Sequence, residues 1–370
     1  AQVMAGLEQL KSARRALQHF EFEAVIGTGT LIRHDPIGVC ALITPWNWPL
    51  NQIGAKVGAA LAAGCTMVLK PSEVAPLSAI AFAEIVAAAG VPDGAFNLVN
   101  GTGPLTGAAL ASHPDIDMVS FTGSTRGGES VALSAAPTVK RVCQELGGKS
   151  AHIVCPEVDV AAVVRRAVRR VYGNSGQSCD SVARILVPSS AKDAALAAAR
   201  EAAASVILGP PSSQETDMGP LASRAQLDKV RGLVQRAVED GAVVVAGGNE
   251  AAVPGDGYFY APTVLAEVDP GMEIAREEIF GPVAIIMTFE DLDEAIAISN
   301  DTDYGLSGRV SAGTVDDALA VARRLRTGMV YLNDADADFD APFGGYGKSG
   351  NGREGGPYGI REYLETQAVM

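Results

Sequence analysis

The sequence predicts an α/β protein of two domains, on three observations. Its 370 residues exceed what one ordinary hydrophobic core accommodates. Through the first third, strand-like apolar runs alternate with helical stretches, the pattern of parallel βαβ units with helices covering a sheet. After Gly147-Gly148 the alternation resumes with a new set of strands, which places a hinge near 145–149.

Gly38-Val39-Cys40-Ala41-Leu42-Ile43 reads as a buried strand that ends at Pro45. A helix over 52–63 is stopped by Gly64, and a strand over 66–70 by Pro71. A helix over 77–89, a strand over 96–100, a short helix over 105–112 and a strand over 118–121 follow. In the second domain the candidate strands are 151–155, 184–187, 242–246, 283–288 and 329–332, with helices at 191–205 and 227–240 between them. A helix over 3–19 and a strand-like stretch over 21–34 precede the first domain without an evident core of their own. Sheets of this kind bind ligands beyond the carboxyl ends of their strands. Trp46-Asn47, Lys70-Pro71-Ser72-Glu73 and Thr122-Gly123-Ser124 all fall there.

Composition narrows the function. A chain 48% hydrophobic and 19% charged is globular rather than disordered. A net charge of −14 argues against nucleic acid and against an anionic membrane surface, since both require Lys and Arg. No apolar run reaches the roughly twenty residues of a membrane helix, and no secretory signal opens the sequence. The five cysteines at 40, 65, 143, 155 and 179 show neither disulfide nor zinc spacing, which fits a reducing cytoplasm. The histidines at 19, 34, 113 and 152 are not spaced as ligands, so no metal site or histidine-based triad is expected.

Cys179 sits among small and polar neighbours in Gly176-Gln177-Ser178-Cys179-Asp180. A thiolate there can attack a carbon, and a carboxylate such as Glu145, expected on the opposite lip of an interdomain cleft, can later activate water. Taken alone, a buried structural cysteine is the better explanation, and only the flanking motifs reverse it. The run from Gly101 through Gly103 to Gly107 imitates a dinucleotide fingerprint one residue too long, and a turn into a helix explains it equally. The run from Thr122 through Gly123 and Ser124 to Gly128 opens a helix and offers backbone N–H groups and hydroxyls to a pyrophosphate, or is an ordinary helix cap. Glu73 can accept from both hydroxyls of an adenine ribose, which favours NAD, whereas Lys70 would attract a 2′-phosphate and keeps NADP open.

From about Pro36 to Thr366 the chain resembles the aldehyde dehydrogenase superfamily. The resemblance is carried in order by Pro45-Trp46-Asn47-Trp48-Pro49, Lys70-Pro71-Ser72-Glu73, Phe121-Thr122-Gly123-Ser124-Thr125, Glu145-Leu146-Gly147-Gly148-Lys149, Gly176-Gln177-Ser178-Cys179, Glu277-Glu278-Ile279-Phe280-Gly281-Pro282 and Pro342-Phe343-Gly344-Gly345. It implies a Rossmann-type cofactor domain over 37–147 and a catalytic domain over 148–347. It also implies an oligomerisation arm from 21–36 and 364–370, an amino-terminal helix of the cofactor domain over 1–20 and a return segment over 348–363.

The same resemblance makes Cys179 the nucleophile, Glu145 the general base and Asn47 the oxyanion donor. Trp46, Lys70, Ser72, Glu73, Gly103, Gly123 and Ser124 would hold the adenosine and pyrophosphate, and Glu278 and Phe280 the nicotinamide end. Trp48, Gln52, Asp180 and Phe343 would face the aldehyde, although Asp180 can equally point outward. The implied reaction passes through a thiohemiacetal and a thioester to a carboxylic acid, in a cytoplasmic homodimer or homotetramer. Family members usually begin about a hundred residues earlier, so a non-catalytic remnant is the alternative, and a cysteine esterase a second one.

Overall fold

Glycine and proline close most of these elements in the computed structural model, which describes residues 2–370. From the amino terminus run α1 (Gln2–Leu17), β1 (Glu23–Ile26), β2 (Thr30–Pro36), β3 (Val39–Ile43), α2 (Pro49–Ala63) and β4 (Thr66–Lys70). Then come α3 (Leu77–Ala88), β5 (Phe96–Leu98), α4 (Ala108–Ser112), β6 (Met118–Thr122), α5 (Thr125–Ala135) and β7 (Arg141–Glu145). The next stretch holds β8 (Ala151–Val154), α6 (Val160–Val171), β9 (Arg184–Pro188), α7 (Lys192–Ala204), α8 (Arg224–Glu239), β10 (Val243–Ala246) and β11 (Thr263–Ala266). It continues with α9 (Glu273–Arg276), β12 (Val283–Phe289), α10 (Leu292–Asn300), β13 (Ser307–Ser311), α11 (Val315–Ala322) and β14 (Met329–Leu332). The chain ends in β15 (Gly350–Asn351), α12 (Gly356–Glu362) and β16 (Leu364–Val369).

Two compact units divide between Leu146 and Gly147. The first, residues 2–146, 338–345 and 350–370, holds a sheet in the order β15-β7-β6-β3-β4-β5, parallel throughout except for β15. Helix α2 covers it with Ile53, Val57 and Ala60, packed on Cys40, Leu42, Met67 and Leu69. Pro49 occupies the first turn of α2, where a missing N–H costs nothing, and Gly64 ends the helix at φ 83. The amino-terminal helix packs on this core through Leu10 and Ala16. Glycines bring the two helices together: a β-carbon on Gly6 would stand 2.7 Å from the Leu50 carbonyl oxygen, and one on Gly54 2.6 Å from the Gly6 carbonyl oxygen.

Three sequence expectations are corrected in this unit. The stretch over 21–34 is a hairpin rather than one strand, because Gly27 and Gly29 turn at φ 52 and 114; its β2 then pairs antiparallel with β16. β7 was absent from the predicted strands, since Arg141, Gln144 and Glu145 interrupt its apolar pattern; pairing with β6 forms it nonetheless. Residues 338–345, expected in the second domain, fold with the first unit. Phe343 and Glu354 exchange backbone hydrogen bonds at 2.7 and 2.8 Å, and Ser12 Oγ donates to the Phe339 carbonyl at 2.8 Å.

The second unit holds a seven-stranded sheet in the order β10-β11-β12-β9-β8-β13-β14, parallel except at β10–β11. α6 lays Val160, Val163, Val164, Ala167, Val168 and Val171 on one face. α8 and α11 contribute to the core on the other face. Residues 346–349 belong to this unit, held by Tyr346 N–H to Gly305 O at 2.9 Å and Ser349 Oγ to Gly147 O at 2.6 Å. The polar-looking strand β13 (Ser307-Gly308-Arg309-Val310-Ser311) escaped the sequence reading, yet all five residues are buried.

Gly54→Val should overpack the α1–α2 contact and cost about 3 kcal/mol or more. Urea denaturation checks this: the unfolding midpoint of the variant should fall well below that of the wild-type chain.

Candidate active site

In the first unit, polar side chains that lack partners gather at the carboxyl ends of three neighbouring strands. Thr122 and Glu145 are register partners on β6 and β7, and Thr44 follows the end of β3. Among the described residues, the hydroxyls of Thr44 and Thr122, the Gln52 Oε1 and both Glu145 carboxylate oxygens are buried with no hydrogen-bond partner. Native folds rarely leave such groups unmatched. Glu145 is 1% exposed. Burial pushes its pKa well above the usual carboxylate range and Glu354 adds to this, while Lys56 and Arg353 oppose it. A carboxyl in that state holds its proton more tightly than a solvated one does.

Lys56 and Glu354, which the sequence reading missed, form a buried ion pair at 2.5 Å, and Lys56 also donates to Ser120 Oγ at 3.0 Å. The signal was present: Lys56 stands four residues after Gln52, on the apolar stripe of α2. Gly344 cannot carry a side chain, because a β-carbon there would lie 2.6 Å from Glu145 Oε1. Asn47 is buried before α2, and its carbonyl accepts from Gln2 Nε2 at 3.2 Å. Trp46 and Trp48 flank it half-buried, and Trp48 O accepts from the Gln52 N–H at 3.0 Å.

The same unit gathers several residues singled out for the cofactor. Lys70 Nζ lies 3.1 Å from Glu73 Oε2, and Glu73 Oε1 accepts from the Gly103 N–H at 3.3 Å. Burial works to raise the Glu73 pKa, but the hydrogen bonds from backbone N–H groups and from Lys70 hold it below the usual value. Ser72 is buried, with its hydroxyl accepting from the Val74 N–H at 3.2 Å. One expectation is corrected. The Gly123 N–H does not stand open to a phosphate, since it donates to the Glu145 carbonyl at 3.1 Å. Ser124 Oγ caps α5 by accepting from the Gly127 N–H at 3.2 Å. Phe121 packs over Gly123 and Gly127, where any β-carbon would strike its ring.

The second unit presents Cys179 on a tightly specified loop. Asn174, Ser175 and Gly176 are three consecutive left-handed residues at φ 52, 57 and 72, a run that costs free energy and that surrounding contacts must enforce. Ser175 Oγ donates to Gly219 O at 2.9 Å, and Gln177 Oε1 accepts from the Ala222 N–H at 2.9 Å. A β-carbon on Gly176 would collide with the Gly281 carbonyl, and one on Gly148 would stand 2.5 Å from the Cys179 carbonyl oxygen. Cys179 is half-buried, whereas Cys40, Cys65, Cys143 and Cys155 are buried.

Glu278 accepts from the Gly148 N–H at 3.1 Å, and Gly147 faces its carboxylate so closely that a β-carbon would lie within 2.9 Å. Burial raises the Glu278 pKa, offset by Lys229, the Gly148 N–H and Lys149. Lys149 is fully buried with no hydrogen-bond partner among the described residues, and burial beside Arg184 lowers its pKa to about 7. Phe280 is left-handed at φ 57, with its carbonyl held by Gln226 Nε2 at 2.7 Å. Asp180 is half-buried, its carbonyl accepts from Ser307 Oγ at 2.8 Å, and burial raises its carboxyl pKa, opposed by its own backbone N–H and by Arg309. Among the described residues no group of three or more His, Cys, Asp or Glu is placed to hold a metal ion, and no helix is long and apolar enough to cross a membrane.

Glu145→Gln should raise thermal stability at neutral pH. Because the folded pKa of Glu145 lies above its unfolded value, the folded state binds the extra proton and the residue destabilises increasingly as pH rises from the unfolded carboxylate range. The gain in melting temperature should vanish in acid below that range. Calorimetry of both proteins across pH checks it.

The family model described as "Aldehyde dehydrogenase family" matches residues 1–369. The 3-succinoylsemialdehyde-pyridine dehydrogenase of a Pseudomonas species is 53% identical over 370 residues, covering 100% of this chain and 77% of that protein. A mutant of aldehyde dehydrogenase C from Pseudomonas syringae, solved with NAD+ and octanal, superposes with a TM-score of 0.97 at 50% identity, covering 100% of this chain and 76% of that one. An aldehyde dehydrogenase from Bacillus cereus in complex with NAD+ gives 0.95 at 38% identity, over 99% and 75%.

Proposed function

The chain belongs to the aldehyde dehydrogenase family, and on that premise we propose that it oxidises an aldehyde to a carboxylic acid with NAD, using Cys179 as nucleophile and Glu145 as general base. The observation that carries the assignment of roles is the pairing of opposites. Cys179 is the cysteine left accessible, and Glu145 is a buried carboxyl with both oxygens unpartnered.

The residues fit the cofactor. Lys70 and Glu73 supply a cation and an anion for the adenine ribose, and the Glu73 carboxylate favours NAD over a 2′-phosphate. The unpartnered hydroxyls of Thr44 and Thr122 offer polar contacts at the strand ends. Trp46, Ser72, Gly103 and Ser124 would complete the adenosine and pyrophosphate side. Gly123 would do so by close backbone approach, and Glu278 and Phe280 would take the nicotinamide ribose and ring. NAD, when bound, supplies the hydride acceptor.

The thiolate of Cys179 adds to the aldehyde carbon, forming a thiohemiacetal whose negative oxygen needs donors fixed in advance. Asn47 provides one, and losing such a donor typically costs about 3 kcal/mol of transition-state stabilisation. Loss of hydride leaves a thioester on Cys179. Glu145 then takes a proton from water, which attacks the thioester and releases the acid. Trp48, Gln52, Asp180 and Phe343 would border the aldehyde. Exposed Val25, Ile26 and Val369 on the β1-β2-β16 sheet support its use as a pairing arm in a homodimer or homotetramer. Five cysteines without a disulfide support a cytoplasmic setting.

Following NADH absorbance with a panel of aldehydes tests the reading. Cys179→Ala should lower turnover about a thousandfold or more. Glu145→Gln should form the thioester, seen as added mass on Cys179, and then stall. Undiminished turnover in either variant would contradict the assigned role.

A further inference from the structure

Serine is mostly an exposed residue, yet Ser307 at the start of β13 and Ser150 just before β8 are each 4% exposed. Gly308 is level with Ala151 on the parallel ladder, so the two serines come level one step earlier and face the same side of the sheet. Ser307 Oγ lies 3.1 Å from Ser150 Oγ and 2.8 Å from the Asp180 carbonyl oxygen. A carbonyl only accepts, so the single hydroxyl proton of Ser307 goes to Asp180, and Ser150 donates its own to Ser307. The Ser307 N–H returns to Ser150 Oγ at 3.3 Å. The two hydroxyls form a chain that ends on the residue next to Cys179.

The far end of that chain is fastened. Arg184, 2% exposed, donates from Nε to the Lys149 carbonyl at 2.9 Å and from its backbone N–H to the Ser150 carbonyl at 3.3 Å. Its other nitrogens donate to the carbonyls of Ile298 at 2.8 Å and Ser299 at 2.9 Å. These lie in the last turn of α10, where helix carbonyls lack partners within the helix. Ser150 is thereby tied to β9 and α10, and its hydroxyl is a fixed reference for the loop. A β-carbon on Gly148 would stand 2.5 Å from the Cys179 carbonyl oxygen and 3.5 Å from Ser150 Oγ. The carbonyls of Cys179 and Asp180 therefore both rest on residues 148–150, one by direct contact and the other through Ser307. Because peptide units are planar, fixing two successive carbonyls fixes the backbone that carries the thiol. Ser175 and Gln177 hold the same loop on the amino side of Cys179.

We propose that Ser307 is a positioning residue: backed by Ser150, its hydroxyl holds the Asp180 carbonyl and so keeps Cys179 in the orientation from which its thiolate attacks. This rests on the reading of Cys179 as nucleophile. An alanine at 307 would keep the backbone pairing of β13 and release the carboxyl side of the loop.

Two rates that should change in opposite directions test the proposal. In Ser307→Ala the pre-steady-state burst of NADH, at saturating aldehyde and NAD, should slow about tenfold, since misplaced reacting atoms cost rate steeply; the Kd for NAD should not change. Alkylation of Cys179 by iodoacetamide at alkaline pH, followed by mass spectrometry, should instead quicken about threefold in the same variant, because a released loop opens more often. A merely structural role lowers the melting temperature and moves neither rate. Ser150→Ala should move both rates in the same directions as Ser307→Ala, and in the Ser307→Ala background it should add nothing, as expected of groups acting in series. An unchanged burst in Ser307→Ala, alkylation that is unchanged or slower, or a Ser150→Ala effect of equal size in both backgrounds would overturn the proposal. Should Ser307→Ala not fold, wild-type rates in Ser150→Ala overturn it equally. Wild-type aldehyde oxidation by Cys179→Ala would sink the nucleophile reading alone, and the alkylation rates would still report whether Ser307 holds the loop.

Discussion

Backbone-to-backbone contact at glycine is the constraint on which the rest of the second unit's chemistry depends. Gly176 meets the Gly281 carbonyl, and Gly148 meets the Cys179 carbonyl, with no room for one extra carbon. Gly147 does the same against the Glu278 carboxylate. The first two contacts fix three motifs far apart in sequence to one another backbone to backbone, and Gly147 adds a close approach to the Glu278 side chain. Such contacts tolerate little displacement, since interiors are close-packed and an added carbon must move backbone rather than a rotamer. The left-handed run Asn174–Gly176 is the strain that this packing enforces.

The first unit solves a different problem. It keeps an ionisable carboxyl, Glu145, at a strand end where neither oxygen has a hydrogen-bond partner among the described residues. The arrangement destabilises the fold at neutral pH and leaves the group ready to exchange a proton. Lys56 and Glu354 temper the field around it, one sign each, as a buried pair. Stability and readiness for chemistry are set against each other at one residue.

Much of this was legible in the sequence. Strands β4 and β14 were placed residue for residue because apolar runs there end at clear turn signals. Glu145 and Glu73 stand out as carboxylates at or just past strand ends, and Cys179 only through the motifs around it, because a lone cysteine has a bland structural explanation. What escaped was polarity that packing overrides. β7 and β13 carry Arg, Gln, Glu and Ser yet lie in sheets, because neighbouring strands supply the pairing that local pattern does not advertise. Arg309 and Lys149 were invisible for the same reason: nothing local distinguishes a buried cation from a solvated one. The hydrogen bonds that occupy the Gly123 N–H and Ser124 Oγ are likewise tertiary or cap contacts, so donors that look available in sequence are already engaged.

The most direct test of the glycine constraint is the pre-steady-state burst of NADH in Gly148→Ala, with folding and NAD binding verified separately. Displacement of the Cys179 carbonyl by the added methyl should abolish the burst while the protein still folds and binds NAD. A burst of wild-type rate and amplitude would contradict the claim that this contact positions the nucleophile.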